Sequence, residues 1–210
     1  MKITFANFLI VLILSLLLCF TIISFSFLIV VYDLDFYRYE FTKSGVYDNF
    51  SNGTYVDSIA SNLIGYFYGK TDLFNIYTEK EAVHLHDVKN IINYFTILFF
   101  LSFFILVIVL SYLHHLNYKY FGFIFMFSFI FLAFILFLLI ASLFLDFEYI
   151  FDGFHRLFFT GDSWILSNDS LLIGLFSEGF FFDALVRALF YAFIFSFLVF
   201  CLTFRFRKII

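Results

Sequence analysis

Residues 122–145 read GFIFMFSFIFLAFILFLLIASLFL, a stretch without a single charged side chain. An α-helix crosses the hydrocarbon core of a membrane with about 17 to 25 mainly apolar residues. Three other stretches meet this requirement, approximately Ile3 to Val31, Ile91 to Leu113 and Ala188 to Phe204. The sequence therefore predicts an all-α integral membrane protein in which four transmembrane helices form a single membrane domain over residues 1–210.

The composition agrees with a membrane location. The chain is 64% hydrophobic, 13% charged and has a mean hydropathy of +1.03, whereas soluble domains carry about 25% charged residues. The sequence contains no Gly-rich phosphate loop, no C-x-x-C pair and no H-E-x-x-H motif, which excludes the better-marked nucleotide, redox and zinc-protease classes. Cys19 and Cys201 fall inside predicted spans, so we expect them to pack rather than form a disulfide.

The charge pattern predicts the orientation. All 16 carboxylates lie in two segments, between Tyr32 and Tyr94 and between Asp146 and Asp183. The remaining segments carry only basic charges, namely Lys2, Lys119, Arg205, Arg207 and Lys208, as the positive-inside rule expects of cytoplasmic ends. We therefore expect a multi-pass protein of the cell membrane with both termini cytoplasmic. Two outer segments, about residues 32–90 and 146–187, would form a cap at the outer leaflet.

The first outer segment contains two weaker patterns. Aromatic and polar residues alternate on either side of Lys43-Ser44-Gly45, which favours a short hairpin between Tyr32 and about Val56. The stretch from Ser58 to Phe67 has apolar residues at helical spacing and predicts a short helix lying on the membrane.

A capping box, Thr78-x-x-Glu81, predicts the start of a helix that continues into the second span. At 100° per residue, one face of this helix carries His84, Val88, Ile91, Ile92 and Phe95. Glu81 and Asp87 flank His84 on this helix. His86 points about 200° away from His84, so the H-x-H pair cannot hold one metal ion on a regular helix.

A structural role is the alternative for each of these polar residues. In this alternative, Glu81 is merely a helix cap and Asp87 is a solvated charge. His84 is then a polar residue that the headgroup level tolerates. For His84 we favour function, because an ionisable group on the inward face of a membrane helix is by default a candidate for a functional site.

The second outer segment is dense in aromatic residues and should lie at the membrane interface. His155 sits among apolar neighbours, where partial burial would keep its imidazole neutral and able to accept a proton. Trp164, the only tryptophan, is first interpreted as a headgroup-belt anchor. The stretch from Thr160 to Ser163 predicts a turn in which Asp162 is a local cap. Ser163 lacks a G-x-S-x-G elbow and is not expected to be a nucleophile.

Asp183 and Arg187 are spaced i,i+4 at the start of the fourth span. This spacing favours an ion pair at the helix entry over a catalytic pair.

Two separated motifs resemble those of the lipoprotein intramolecular transacylase (Lit) family. They are E-x-x-H-x-x-D-V-K at Glu81 to Lys89 and F-H-x-x-F-F-x-G-D-x-W at Phe154 to Trp164. The stretch from Leu171 to Asp183 resembles the same family, and the likeness covers most of the chain. Departures are the extra His86 and the absence of prolines that the family often has near Thr160 and at Ser177.

The resemblance implies an acyltransferase without cofactor or metal, with His84 and His155 as catalytic residues at the outer face. We group as supporting or substrate-binding residues Glu81, Asp87, Lys89, Asp162, Trp164, Asp183 and Arg187. The implied partners are membrane lipid and the N-terminus of a bacterial lipoprotein bearing a diacylglyceryl-cysteine, with no nucleic acid.

In the implied reaction the α-amine of this cysteine attacks the sn-2 ester and yields an N-acylated lyso-form product. The conversion of an ester to an amide is downhill in free energy, so ATP is not required. An amine can attack an ester directly, so no enzyme nucleophile is required either. Our hypothesis makes His84 the base and lets His155 assist at the ester. Three alternatives remain at this point: another outer-leaflet acyltransferase or lipid hydrolase, a non-catalytic sensor or assembly partner, and a metal-dependent enzyme.

Overall fold

A computed structural model describes residues 4–50, 52–142, 147–159 and 161–206 of the chain. The described part of the chain contains helices and turns but no β-strand. The helices follow one another as α1 (Phe5–Val31), α2 (Leu34–Lys43), α3 (Val46–Asn49), α4 (Gly53–Phe67), α5 (Glu79–His115), α6 (Phe121–Ser142), α7 (Phe147–Phe158), α8 (Leu171–Leu175) and α9 (Glu178–Phe206). The all-α prediction is confirmed.

Four helices, α1, α5, α6 and α9, are long and apolar enough to cross a membrane. They correspond to the four predicted spans. α9 begins at Glu178, ten residues before the predicted start at Ala188, because its first part carries Glu178, Asp183 and Arg187, which interrupt the apolar pattern without ending the helix. Ile3 and the last residues of the predicted third span, 143–145, lie outside the described residues.

The chain divides into two compact units. The first comprises Met1–Phe27, Thr96–Phe144 and Arg187–Ile210, and its core is formed largely by α1 and α6. Ser15 on α1 is fully buried, and its Oγ lies 3.0 Å from the carbonyl oxygen of Ile124 on α6. Such polar contacts between membrane helices stabilise their association.

The outward face of α5 in this first unit is apolar. Ile97, Phe104 and Ile108 are 62%, 57% and 68% exposed. Apolar side chains this exposed, in a helix long enough to span a bilayer, are suited to contact with lipid tails.

The second unit comprises Leu28–Phe95 and Leu145–Val186. The predicted hairpin around Lys43 is wrong, because the chain there forms α2 and α3. Asp33 caps α2 by accepting a hydrogen bond from the Phe36 N–H. The buried side chains of α2 are Phe36, Tyr37, Glu40 and Phe41. This is a helical spacing, and the alternation of aromatic and polar residues concealed it.

The predicted helix from Ser58 to Phe67 is confirmed and starts earlier, as α4. Its buried residues include Ile59, Leu63, Ile64 and Phe67, the apolar face that the spacing predicted. Its placement on the membrane stays a prediction. The candidate site is built on α5, on α7 and on the turn that follows α7.

Candidate active site

His84 on α5 and His155 on α7 lie against each other. Their ring centroids are 6.0 Å apart and the ring planes differ by 29°. The two residues come from different outer segments, and both belong to the second unit. The fold therefore places two imidazoles close enough to act on one small group.

α7 buries His155, whereas Phe151 and Phe154 on the same helix remain partly exposed. His155 is only 7% exposed, and its ring packs against Phe151, Phe154, Phe159 and Trp164. Burial lowers the pKa of His155, while the Phe151 carbonyl and the charge of Asp152 act in the opposite direction. The predicted neutral imidazole at pH 7 agrees with this direction.

The tautomer of neutral His155 follows from its hydrogen bond. Nδ1 lies 2.7 Å from the carbonyl oxygen of Phe151, one turn earlier on α7. A carbonyl oxygen can only accept, so Nδ1 must carry the proton that it donates. Neutral His155 therefore presents a lone pair at Nε2.

His84 is half-buried, and its ring lies 4.9 Å from that of Phe159. Its Nδ1 is enclosed and has no hydrogen-bond partner among the described residues. A buried N–H is rarely left unpaired, so the proton of neutral His84 is better placed on Nε2. His86 is exposed, and its Nδ1 lies 3.2 Å from the side-chain nitrogen of Asn90. Helical phase thus separates the two histidines as the sequence predicts.

Glu81 is a buried carboxylate that joins two helices. Its Oε2 accepts hydrogen bonds from the N–H and the hydroxyl of Thr78, both at 2.8 Å, and its own N–H donates to Thr78 Oγ1. The predicted capping box is confirmed. Its Oε1 accepts from the Leu172 N–H at 3.0 Å, at the start of α8. Glu81 therefore organises backbone groups from both outer segments.

Asp87 accepts a hydrogen bond from the hydroxyl of Ser163, with Oγ 2.9 Å from Oδ2. Asp87 is half-buried and has a protein partner in addition to any contact with water. Asp162, the residue before Ser163, is exposed. In this turn Gly161 has a φ of +84°, a backbone conformation that glycine adopts without steric cost. Thr160 lies outside the described residues.

Trp164 packs on the histidine site. Its ring lies 5.1 Å from His155 and 5.9 Å from the Arg156 guanidinium. Trp164 is half-buried, so part of its surface remains accessible. The structure thus gives Trp164 a direct contact with His155, which the interpretation as a headgroup anchor did not include.

Three of the predicted supporting residues, Lys89, Asp183 and Arg187, contact residues other than the two histidines. Lys89 lies over the ring of Tyr66, with Nζ 3.8 Å from the centroid. Asp183 forms an ion pair with Lys43 on α2, and Arg187 Nε lies 3.3 Å from the hydroxyl of Tyr191. The predicted pair of Asp183 with Arg187 stays a prediction.

Sequence reasoning missed several contributors to the site. The Phe151 carbonyl was not considered, although its position four residues before His155 would have shown it once α7 was recognised as a helix. Ser163 and Leu172 join the site through long-range contacts. Phe159 is a defined motif position, but its contact with His84 was not predicted. The defined positions of the two quoted motifs include neither Ser163 nor Leu172.

A family model described as "Lipoprotein intramolecular transacylase Lit" matches residues 12–181 of the chain. The matched range includes both histidines and the turn that carries Trp164. No protein among curated sequences matches the chain significantly.

Solved structures share the fold. The membrane integral lipoprotein intramolecular transacylase Lit from Bacillus cereus matches with a TM-score of 0.86 and 24% identity over 95% of each chain. A variant of that protein with one histidine replaced by arginine matches with a TM-score of 0.76 and 24% identity, over 95% of this chain and 91% of the other. A variant with alanine instead matches with a TM-score of 0.76 and 23% identity, over 95% and 93%.

Proposed function

Because the chain belongs to the lipoprotein intramolecular transacylase (Lit) family, we propose that it transfers the sn-2 acyl chain of an S-diacylglyceryl-cysteine lipoprotein to the α-amine of the same cysteine. His84 and His155 would supply the acid-base catalysis. The protein is an acyltransferase and a multi-pass membrane protein, and its family acts on lipoproteins. The product of the proposed reaction is an N-acylated lyso-form lipoprotein.

The reaction needs proton transfer at two points. The amine nitrogen forms a bond to the ester carbonyl carbon, and the bond from that carbon to the sn-2 oxygen breaks. The nitrogen gives up a proton, and the departing oxygen takes one. An α-amine has a pKa of about 8 and is mostly protonated at pH 7, so a base must help to remove its proton. All atoms balance within the substrate, without a co-reactant.

We assign the base role to His155, which reverses our sequence-based hypothesis. The assignment of His155 as the base rests on the hydrogen bond from its Nδ1 to the Phe151 carbonyl oxygen, which leaves the lone pair of neutral His155 at Nε2. Burial lowers the pKa of His155 and so keeps this lone pair available at neutral pH. Glu81, which flanks His84 on α5, uses its carboxylate to bind Thr78 and Leu172 instead.

His84 is assigned as the donor. With its proton on Nε2, neutral His84 can donate a hydrogen bond to the oxyanion that forms on the ester carbonyl. The proton that His155 takes from the amine then passes to the departing oxygen, so both imidazoles are neutral again at the end of the reaction. General acid-base catalysis contributes about 10²- to 10⁴-fold to a rate. Holding amine and ester together supplies the remainder, since effective molarities reach about 10⁵ to 10⁸ M.

The site is proposed to lie at the outer face of the cell membrane. The 16 carboxylates of the chain lie in the two outer segments, whereas the ends and the connection between α5 and α6 carry only basic charges. Cytoplasmic termini follow from this orientation. A lipoprotein exposes its diacylglyceryl-cysteine at the outer leaflet, where the two histidines would meet it.

Mass spectrometry of lipoprotein N-termini tests the proposal. The chain is expressed in a bacterial host that lacks lipoprotein N-acylation, beside His84→Ala and His155→Ala variants present at equal membrane levels. Lyso-form peptides carrying an N-acyl group are expected only with the wild-type chain. Unchanged diacylglyceryl peptides would reject the proposal, and de-acylated peptides without an N-acyl group would indicate a lipid hydrolase.

A further inference from the structure

Ser163 and Asp87 join two parts of the second unit that are distant in sequence. The Ser163 hydroxyl donates a hydrogen bond to Asp87 Oδ2 at 2.9 Å. Asp87 lies one turn after His84 on α5, and Ser163 directly precedes Trp164. The hydrogen bond therefore connects the helix of one histidine to the residue that packs on the other.

Trp164 completes a closed chain of contacts. Its ring lies 5.1 Å from that of His155, and the ring of His155 lies 6.0 Å from that of His84. The chain thus runs from His84 along α5 to Asp87, across to Ser163, and through Trp164 and His155 back to His84. A shift of the turn that holds Ser163 would move Trp164 away from His155 or carry His155 with it.

A second bond ties the same turn to the same helix. Lys80, two turns before Asp87 on α5, donates a hydrogen bond from Nζ to the carbonyl oxygen of Ile165. Lys80 is exposed, whereas Ser163 and Asp87 are both half-buried. Hydrogen bonds to charged groups contribute more when they are shielded from water, so the Ser163 bond is the stronger of the two restraints.

We propose that Ser163 is a positioning residue for the transacylation: its hydrogen bond to Asp87 holds Trp164 against His155 and thereby fixes the spacing of His155 and His84. This inference rests on the proposed function. Ser163 does not touch the reacting atoms and takes up no acyl group. Its hydroxyl acts only through Trp164.

Three substitutions separate positioning from a general effect on the turn. Ser163→Ala removes the donor, and Ser163→Thr keeps a hydroxyl in its place. Ser167→Ala is the matched control, because Ser167 forms a hydrogen bond with Asp169 within the same outer segment, without reaching α5. Each variant is purified whole and reconstituted with a synthetic diacylglyceryl lipopeptide.

The first readout is kinetic. A misplacement of reacting groups by about 1 Å can lower a rate about 100-fold, so Ser163→Ala should lower kcat by about 10- to 100-fold. KM should change little, because the substrate is still bound while its reacting groups are misaligned. Ser163→Thr should restore most of the loss, and Ser167→Ala should behave as the wild type.

The second readout does not depend on catalysis. Trp164 is the only tryptophan, and a protonated imidazole in contact with indole quenches its fluorescence. The emission of the wild type should therefore fall as His155 takes up a proton, and His155→Phe should abolish this change. Ser163→Ala should weaken the emission change, Ser163→Thr should restore it, and Ser167→Ala should leave it intact.

Together the two readouts distinguish a failure of the proposed function from a failure of the positioning role. If the wild type does not convert the lipopeptide, the proposed function is wrong and the positioning role falls with it. If the wild type does convert it, the positioning role is overturned when Ser163→Ala keeps either the wild-type kcat or the wild-type emission change.

Discussion

The imidazole of His155 faces that of His84 at a centroid distance of 6.0 Å, and its Nδ1 is bound to the Phe151 carbonyl. The two rings cannot both be positively charged without strong repulsion, since like charges this close disfavour the doubly charged state. A division of roles follows, in which one imidazole accepts a proton while the other stays neutral and donates a hydrogen bond. Substitutions at the two rings and around them test this division.

His84 and His86 form a natural pair for comparison, because they lie two residues apart on α5 and only His84 contacts His155. His84→Ala is expected to lower the transacylation rate by about 10²- to 10⁴-fold, the usual contribution of an acid-base group. His86→Ala should retain nearly the wild-type rate, since His86 is exposed. Conversion of a diacylglyceryl lipopeptide, followed by mass spectrometry, measures both. Equal losses in the two variants would count against the helical phase argument.

The folded state should lose stability as the pH falls below about 6.5, the ordinary pKa of histidine. Burial lowers the pKa of His155 in the folded state, so the unfolded chain takes up a proton at a higher pH than the folded chain does. The stabilisation is complete above 6.5 and is lost as the pH falls toward the lowered pKa.

Thermal unfolding of the wild type and of His155→Phe at about pH 7.5 and about pH 5.5, on either side of the ordinary histidine pKa, measures this effect. The wild type should lose more stability than the variant on acidification, by at most about 1.4 kcal/mol per pH unit for one group. His86→Ala is the control and should follow the wild type. An identical pH dependence in the wild type and His155→Phe would show that His155 is not protected from protonation.

Glu81 should matter more for stability than its position in the first turn of α5 suggests. Removing its carboxylate leaves the N–H groups of Thr78 and Leu172 without their partner. Glu81→Ala is expected to lower the free energy of unfolding by about 2 kcal/mol, because leaving the donor of buried Leu172 unpaired costs about 1 to 3 kcal/mol. Thr78 is exposed, so its N–H can bind water instead. Glu79→Ala, an exposed acid in the same turn, should cost at most about 1 kcal/mol. Denaturant unfolding in detergent compares the two, and similar losses would refute the bridging role of Glu81.

The local features of this fold could be predicted from the sequence. Apolar length identifies the four membrane-crossing helices. The capping box at Thr78 and the inward direction of His84 follow from helical spacing over a few residues. In each case the pattern and the contact lie within one helix.

Features that depend on contacts between distant segments could not be predicted. The sequence predicts part of a hairpin where α2 forms, because the burial of Phe36 and Phe41 depends on Phe176 and Phe180 from the other outer segment. Asp87 gives no local sign of its bond to Ser163. These contacts are set by tertiary packing, which overrides local preference.

An acyl-labelling experiment tests the central claim most directly. Two diacylglyceryl lipopeptides of different peptide mass, only one with an isotopically heavy sn-2 chain, are mixed and incubated with the purified protein in liposomes. The account predicts that the heavy chain becomes an amide on its own peptide alone, with the wild type and with His86→Ala, and that His84→Ala and His155→Ala leave both lipopeptides unconverted. A heavy chain found on the other peptide, or undiminished conversion by either of the last two variants, would contradict it.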